Sequence, residues 1–167
     1  MEGAGYNCCT KARSTLQGGP WETSGLSEED NKAVVRRYFD EVLDAGNRSV
    51  MPELFAAGAE QHFPGRDLTF DPSNPGQRAT QTMKTQLHHL LADGDFVVAH
   101  LTHRVTFHGA SAFSTRIGQV DTSDRSINWD ATAIFKLEGG KIVEEWVNRD
   151  ELNILAQLDA VALKTAG

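Results

Sequence analysis

The apolar residues of this chain change period along its length, and the changes divide it into elements. After Ser27, the residues Val34, Val35, Tyr38, Phe39, Val42 and Leu43 recur at i, i+1, i+4, i+5, i+8 and i+9, a single stripe at helical period. Ser27-Glu28-Glu29-Asp30 has capping-box form, with acids in the first turn where the helix dipole favours them. Leu26 stands where a hydrophobic staple would start, and Gly46 ends the helix as a C-cap. A second short helix is expected from about Ser49 to Ala57, with Pro52 in its first turn. Glu60-Gln61-His62-Phe63 reads as a short strand stopped by Pro64-Gly65. Arg66 to Gly76, broken at Asp71-Pro72 and Asn74-Pro75, reads as a loop. A third helix is expected from about Gln77 to Ala92, with Met83, Leu87, Leu90 and Leu91 on its apolar side.

The period then drops to two. Beyond the Asp93-Gly94-Asp95 turn a long strand runs from Phe96 to His108. Gly109 to Asp121 reads as a loop with one short strand, and Thr122-Ser123-Asp124 as a second turn. Ser126 to Leu137 and Ile142 to Asn148 form a hairpin around Glu138-Gly139-Gly140-Lys141. A short helix follows to Leu158, with Asp150 as its N-cap. Helices come first and strands later, an α+β pattern. The expected fold is a curved antiparallel sheet wrapped over a long N-terminal helix, a half-open cone with an internal cavity. Residues 1–25 read as a flexible tail that Trp21 could tack onto the domain, 26–162 as the domain, and 163–167 as a C-terminal tail.

Bulk properties narrow the partners. A net charge of -7 argues against nucleic acid or an anionic membrane, and no apolar run is long enough to span a bilayer. Cys8 and Cys9 are the only cysteines, so no disulfide scaffold or structural zinc site is expected, and a cytoplasmic location is the simpler reading. Asn47-Arg48-Ser49 matches a glycosylation sequon and is read as chance. There is no Gly-rich phosphate loop, no Gly-x-Ser-x-Gly elbow and no His-Glu-x-x-His. His88-His89 is divided between surface and helix packing. His100, His103 and His108 are split between opposite faces of one strand and make no metal site. No metal or cofactor is expected.

Several segments, in order, resemble the SnoaL-like polyketide cyclase family of the nuclear transport factor 2-like superfamily. They are Asn31-Lys32-Ala33-Val34-Val35-Arg36-Arg37-Tyr38-Phe39, Ala45-Gly46-Asn47, Glu60-Gln61-His62, Asp93-Gly94-Asp95-Phe96-Val97, and Gly140-Lys141-Ile142-Val143-Glu144-Glu145-Trp146 with Asp150. The resemblance covers roughly residues 28–160 and implies the cone fold with a small-molecule cavity. It does not carry one chemistry across, because this fold hosts isomerases, cyclases, epoxide hydrolases, dehydratases and binding proteins. At the position of the cyclases' last-strand acid stands Val147, and at that of their pocket histidine, Ala133. The oxyanion-hole positions of the related ketosteroid isomerases fall at Phe39 and Ala133, with Tyr38 one residue off and pointing elsewhere. The isomerase base position falls at His62.

Strand parity sorts the candidates. Val97, Ala99, Leu101, His103, Val105 and Phe107 share the apolar face of their strand, as do Ile127, Trp129, Ala131, Ala133, Phe135 and Leu137 of theirs. On the last strand the register implied by the family turns Val143, Glu145, Val147 and Arg149 inward, and Ile142, Glu144, Trp146 and Asn148 outward. His62, Glu145 and His103 are therefore the candidate catalytic groups. Trp129, Phe39, Phe135, Val147, Leu101 and Ala133 are the candidate substrate-binding wall. A histidine titrates near neutrality and burial lifts a glutamate toward it, so such a pocket can run general acid–base chemistry.

Plainer roles stand beside these. His103 could be a hydrogen-bonded core residue, Glu145 could pair with Arg149, and His62 could be structural. Two functions follow. One is a cofactor-independent enzyme performing isomerisation, cyclisation, dehydration or hydrolysis on an apolar or aromatic metabolite, with His62 as base and Glu145 and His103 as partners. The other is a non-catalytic small-molecule or lipid binder. A homodimer is expected through the outer sheet face, which carries Phe96, Val98, Ile134, Ile142 and Trp146.

Overall fold

The computed structural model describes residues 27–75 and 80–162. The expected tails, Trp21, Leu26, Cys8 and Cys9, and the Gln77 start of the third helix lie outside the described residues. Helix α1 spans Glu28–Arg37 and begins with the expected capping box. The Ser27 hydroxyl accepts from the Asp30 backbone at 3.2 Å, and the Asp30 carboxylate accepts from the Ser27 backbone at 3.1 Å. The chain then widens into a π-helical segment, Tyr38–Asp44. Its wider turn brings both Tyr38 and Phe39 onto the sheet, where Val35 and Val42 are also buried. A short turn at Arg48–Val50 and helix α2, Met51–Leu54, follow. The second helix is shorter than expected, because the chain turns extended at Phe55, whose ring is buried.

Eight strands follow: β1 Phe55–Phe63, β2 Arg66–Thr69, β3 Gln81–Asp93, β4 Phe96–Phe107, β5 Ala112–Thr115, β6 Gly118–Asp121, β7 Ser126–Glu138 and β8 Lys141–Arg149, then helix α3, Glu151–Gln157. Six form one sheet in the order β2-β1-β8-β7-β4-β3, and β5 and β6 form a separate hairpin. The sheet is mixed, not purely antiparallel: β1 runs parallel to β8. Its concave face packs on the α1–π segment, which makes the fold α+β as expected. The Arg66–Gly76 stretch is also not wholly loop, since β2 pairs with β1 as an exposed edge strand.

The third expected helix is strand β3. Its register with β4 runs Leu87 to Leu101 and then His89 to His100, so His88 is an extra, bulged residue. Met83, Thr85 and Leu87 face inward before the bulge; Leu90 and Ala92 do so after it. The phase jump makes an interrupted period of two look like i, i+4, i+7. A second bulge changes β8. Leu137 pairs with Ile142 and Lys136 with Glu144, leaving Val143 as the extra residue. Ile142 is consequently fully buried and does not belong to the outer face.

Candidate functional site: a polar-ended cavity under the sheet

Between the α1–π segment and the concave sheet face lies a cavity of about 370 Å³, within the range of small-molecule sites. Its space comes from small side chains on β7: Ala133 stands opposite Val147 and Ala131 opposite Arg149. Phe39, Leu101, Trp129, Ala133 and Val147 line it as expected. Phe135 does not. It is fully buried behind the helix, with its ring edge-on to Tyr38 and Phe39 at 5.9 Å from each.

Glu145 faces the cavity and is only 2 % exposed. Gln61, its register partner on the parallel strand β1, donates from Nε2 to its carboxylate at 2.6 Å. Burial pushes the Glu145 carboxyl up to about 7, and the Gln61 amide and the Tyr38 hydroxyl offset that only in part. Tyr38, read from sequence as pointing elsewhere, lines the cavity beside Glu145, because the π segment turns it inward. Its hydroxyl is raised well above the usual tyrosine range by burial and then by the Glu145 charge.

His103 also lines the cavity, on β4. Its Nδ1 lies 3.1 Å from the Thr85 hydroxyl, which itself donates to Asp44 at 2.8 Å. That proton is committed to Asp44, so Nδ1 of His103 is the donor and Nε2 carries the free lone pair. Desolvation holds the imidazole down at about 4, against a smaller pull from Asp44. His103 is thus a neutral imidazole of fixed tautomer, with Trp129 edge-on at 5.6 Å.

His62 lies outside the cavity. One residue of parity separates it from Gln61, and the structure turns Gln61 inward and His62 onto the outer face. There Nδ1 meets Asp67 at 3.0 Å, Nε2 meets Glu144 at 3.1 Å, and the ring stacks on Trp146. The hydrogen bonds to Asp67 and Glu144 raise its pKa. Glu60, His62 and Glu144 bring ligating atoms within 4.8 Å of one another. Both imidazole nitrogens already face carboxylates, and we assign this surface cluster no ion. No hydrogen bond joins His62, Glu145 and His103 to one another; each is held in its own network.

Arg149 is the polar group for which the sequence suggested the wrong partner. It does not pair with Glu145. Its Nη2 bonds the Ser114 and Pro64 carbonyls and Glu151, the last at 3.0 Å. The guanidinium carbon sits 4.3 Å from the centre of the Phe113 ring. The side chain is 8 % exposed, yet the buried Nε has no hydrogen-bond partner among the described residues. An orphaned buried donor of this kind costs about 1–3 kcal/mol. Burial lowers the Arg149 pKa, with Glu151 opposing. Of the groups the sequence reading missed, Gln61 was signalled by parity. Asp44 and Thr85 were hidden by reading β3 as a helix.

The SnoaL-like polyketide cyclase family matches residues 33–158. The chain belongs to this family. No match was found among curated proteins. Solved structures of the same fold include TsrD from Streptomyces laurentii, 17% identical, covering 82% of this chain and 100% of that one with a TM-score of 0.65. An LEH-like epoxide hydrolase of M. tuberculosis is 9% identical, covering 80% and 92% with a TM-score of 0.63. A candidate SnoaL-like polyketide cyclase from Jannaschia sp. CCS1 is 18% identical, covering 81% and 95% with a TM-score of 0.62. The fold is therefore that of the SnoaL-like and LEH-like proteins. Among the described residues no helix is long and apolar enough to cross a membrane.

Proposed function

We propose that this family member is an enzyme that moves a proton on an apolar, ring-bearing metabolite, with Glu145 as its acid–base group. The observation that supports this most is a carboxyl in the cavity wall whose burial sets it to about 7. Such a group takes a proton from a carbon acid and returns it to another atom at neutral pH without a large penalty in either direction. Gln61 and Tyr38 orient it. His103, neutral and with Nε2 unbonded among the described residues, accepts a hydrogen bond from a substrate hydroxyl. His62, on the outer face, has no part in this chemistry. The reaction classes that fit are isomerisation, cyclisation and dehydration, since each needs one proton removed and one delivered.

A binding protein is the second reading. It is favoured by the separation of Glu145 from His103 into unconnected networks and by the apolar Val147 between Glu145 and Arg149. A ligand screen by thermal shift, followed by mass spectrometry and NMR of each hit, separates the two. Conversion by wild type with binding but no conversion by Glu145→Gln supports the enzyme. Equal stabilisation of both proteins with no conversion supports the binder.

We also propose a homodimer through the outer sheet face. Phe96 there is 42% exposed and Leu91 64% exposed, beside half-buried Val98, Ile134 and Trp146.

A further inference from the structure

We propose that the Arg149 end of the cavity is an anion subsite, and that the ligand carries a carboxylate on its apolar ring system. This deepens the reading of the cavity as a small-molecule site and rests on it. Arg149 is nine-tenths buried and lines the cavity. Its Nε is closed off without an acceptor, while its Nη1 is not closed off and makes no hydrogen bond among the described residues, so Nη1 is the donor that an incoming group can reach. Its Nη2 is already saturated by Ser114, Pro64 and Glu151, so those contacts hold the guanidinium in place without satisfying it. Its counter-ion is also shared: Glu151 accepts from the Arg116 backbone at 3.0 Å. Phe113 covers one face of the guanidinium plane and keeps it from swinging out. A fixed, planar donor group short of an acceptor is built for a planar acid.

The charge of the wall points the same way. The whole chain has 16 Lys and Arg against 23 Asp and Glu. Among the described residues the cavity lining reverses that balance: its cations are Arg48, Arg66 and Arg149, and its one carboxylate is Glu145. An acidic protein that collects arginines around one cavity creates a local positive field, and a field of that sign selects an anionic guest. Position agrees too. Arg149 lies four residues beyond Glu145 on the same strand face, roughly 13 Å away along the strand. A ligand acid held at Arg149 stays clear of the Glu145 carboxylate. Val147, Ala131 and Ala133 offer the apolar ring a seat between the two ends.

The test uses naphthoic and anthroic acids, each paired with its methyl ester, titrated by calorimetry at about pH 8, where both the acids and Glu145 are ionised. Wild type should bind at least one acid about tenfold more tightly than its ester, a gap of about 1.4 kcal/mol. Arg149→Lys should lose that preference while keeping ester affinity, and exposed Arg66→Gln should weaken it severalfold. In wild type the guanidinium Nη–H resonances of Arg149 should shift downfield with the acid and stay put with the ester, which reads the contact even if the Arg149 variant folds poorly. Glu145→Gln should retain the acid preference, so a failure of the catalytic reading leaves this result intact. The proposal is overturned if no acid binds, if every ester binds as tightly as its acid, or if the Arg149 Nη–H resonances do not respond to the acid.

Discussion

Gln61 and Glu145 sit directly opposite each other on the parallel strands β1 and β8, joined by a 2.6 Å hydrogen bond from the Gln61 amide to the carboxylate. The bond stabilises the ionised form and holds the carboxyl below where burial alone would put it. Gln61→Leu should therefore raise the Glu145 pKa further and move the alkaline-rising limb of a base-dependent pH–rate profile to higher pH. An unchanged limb would mean that the amide does not control the titration.

Glu145 and His103 have opposite effects on pH-dependent stability. The Glu145 pKa is raised from 4.5 to about 7. The stability this gives is present below the unfolded value and is lost as pH rises through about 7. The His103 pKa is lowered from 6.5 to about 4. Its contribution is present above the unfolded value and is lost as pH falls through about 4. Each is worth roughly 3 kcal/mol, and the two largely cancel across the overlap of their windows. Denaturant titrations of Glu145→Gln should show stability falling from about pH 6.5 to 4, and those of His103→Asn should show it falling from about pH 4.5 to 7. Parallel profiles for the two variants would contradict both assignments.

The Asp44–Thr85–His103 chain fixes one imidazole tautomer. Thr85→Val keeps the shape and removes the hydroxyl, leaving a half-buried Asp44 oxygen and the His103 Nδ1–H unpaired. A loss of about 1–3 kcal/mol is expected, with Thr85→Ser recovering most of it. The His103 ring nitrogens, followed by NMR, should change from a single tautomer to a mixture in Thr85→Val.

His62 serves as a control. Its partners Asp67 and Glu144 are surface carboxylates, and its ring is outside the cavity. His62→Ala should leave turnover of any substrate within about twofold of wild type and cost no more than about 1 kcal/mol. It should leave ligand affinity unchanged. If the outer face is the dimer interface, Trp146→Glu should convert a dimer to a monomer in light scattering while His62→Ala should not.

Gly65, in the β1–β2 turn, has φ +85 and would place a Cβ 2.2 Å from the Thr115 carbonyl oxygen. Gly94, in the β3–β4 turn, has φ +57 and nothing nearby. Gly65→Ala should destabilise by at least about 2–3 kcal/mol, and Gly94→Ala by about 1. Equal losses would show that the Thr115 contact is not close.

The strands β4 and β7 were legible because they alternate without interruption; all six inward positions of each are buried as expected. β3 was not legible, since the bulge at His88 disguises a strand as a helix, and with it vanished the Asp44–Thr85–His103 chain. The inward turn of Glu145 was readable from parity past the Val143 bulge, but the same bulge buried Ile142, which parity had sent outward. His62 was misplaced by a single residue of register, the error to which a two-residue period is most exposed. Tyr38 needed the π turn, which no stripe of apolar residues announces. Arg149 was placed on the correct face, but its real partners, Ser114, Pro64 and Glu151, come from segments that periodicity does not connect to it.

The central claim is that Glu145 is a buried cavity carboxyl poised near neutrality, and it can be tested without knowing the substrate. Carbon-detected NMR of side-chain carboxyl resonances, with Glu145→Gln for assignment, follows its titration directly. The account predicts a midpoint at about 7. A midpoint at the ordinary glutamate value of about 4.3 would contradict it, and would remove the group on which the proposed chemistry depends.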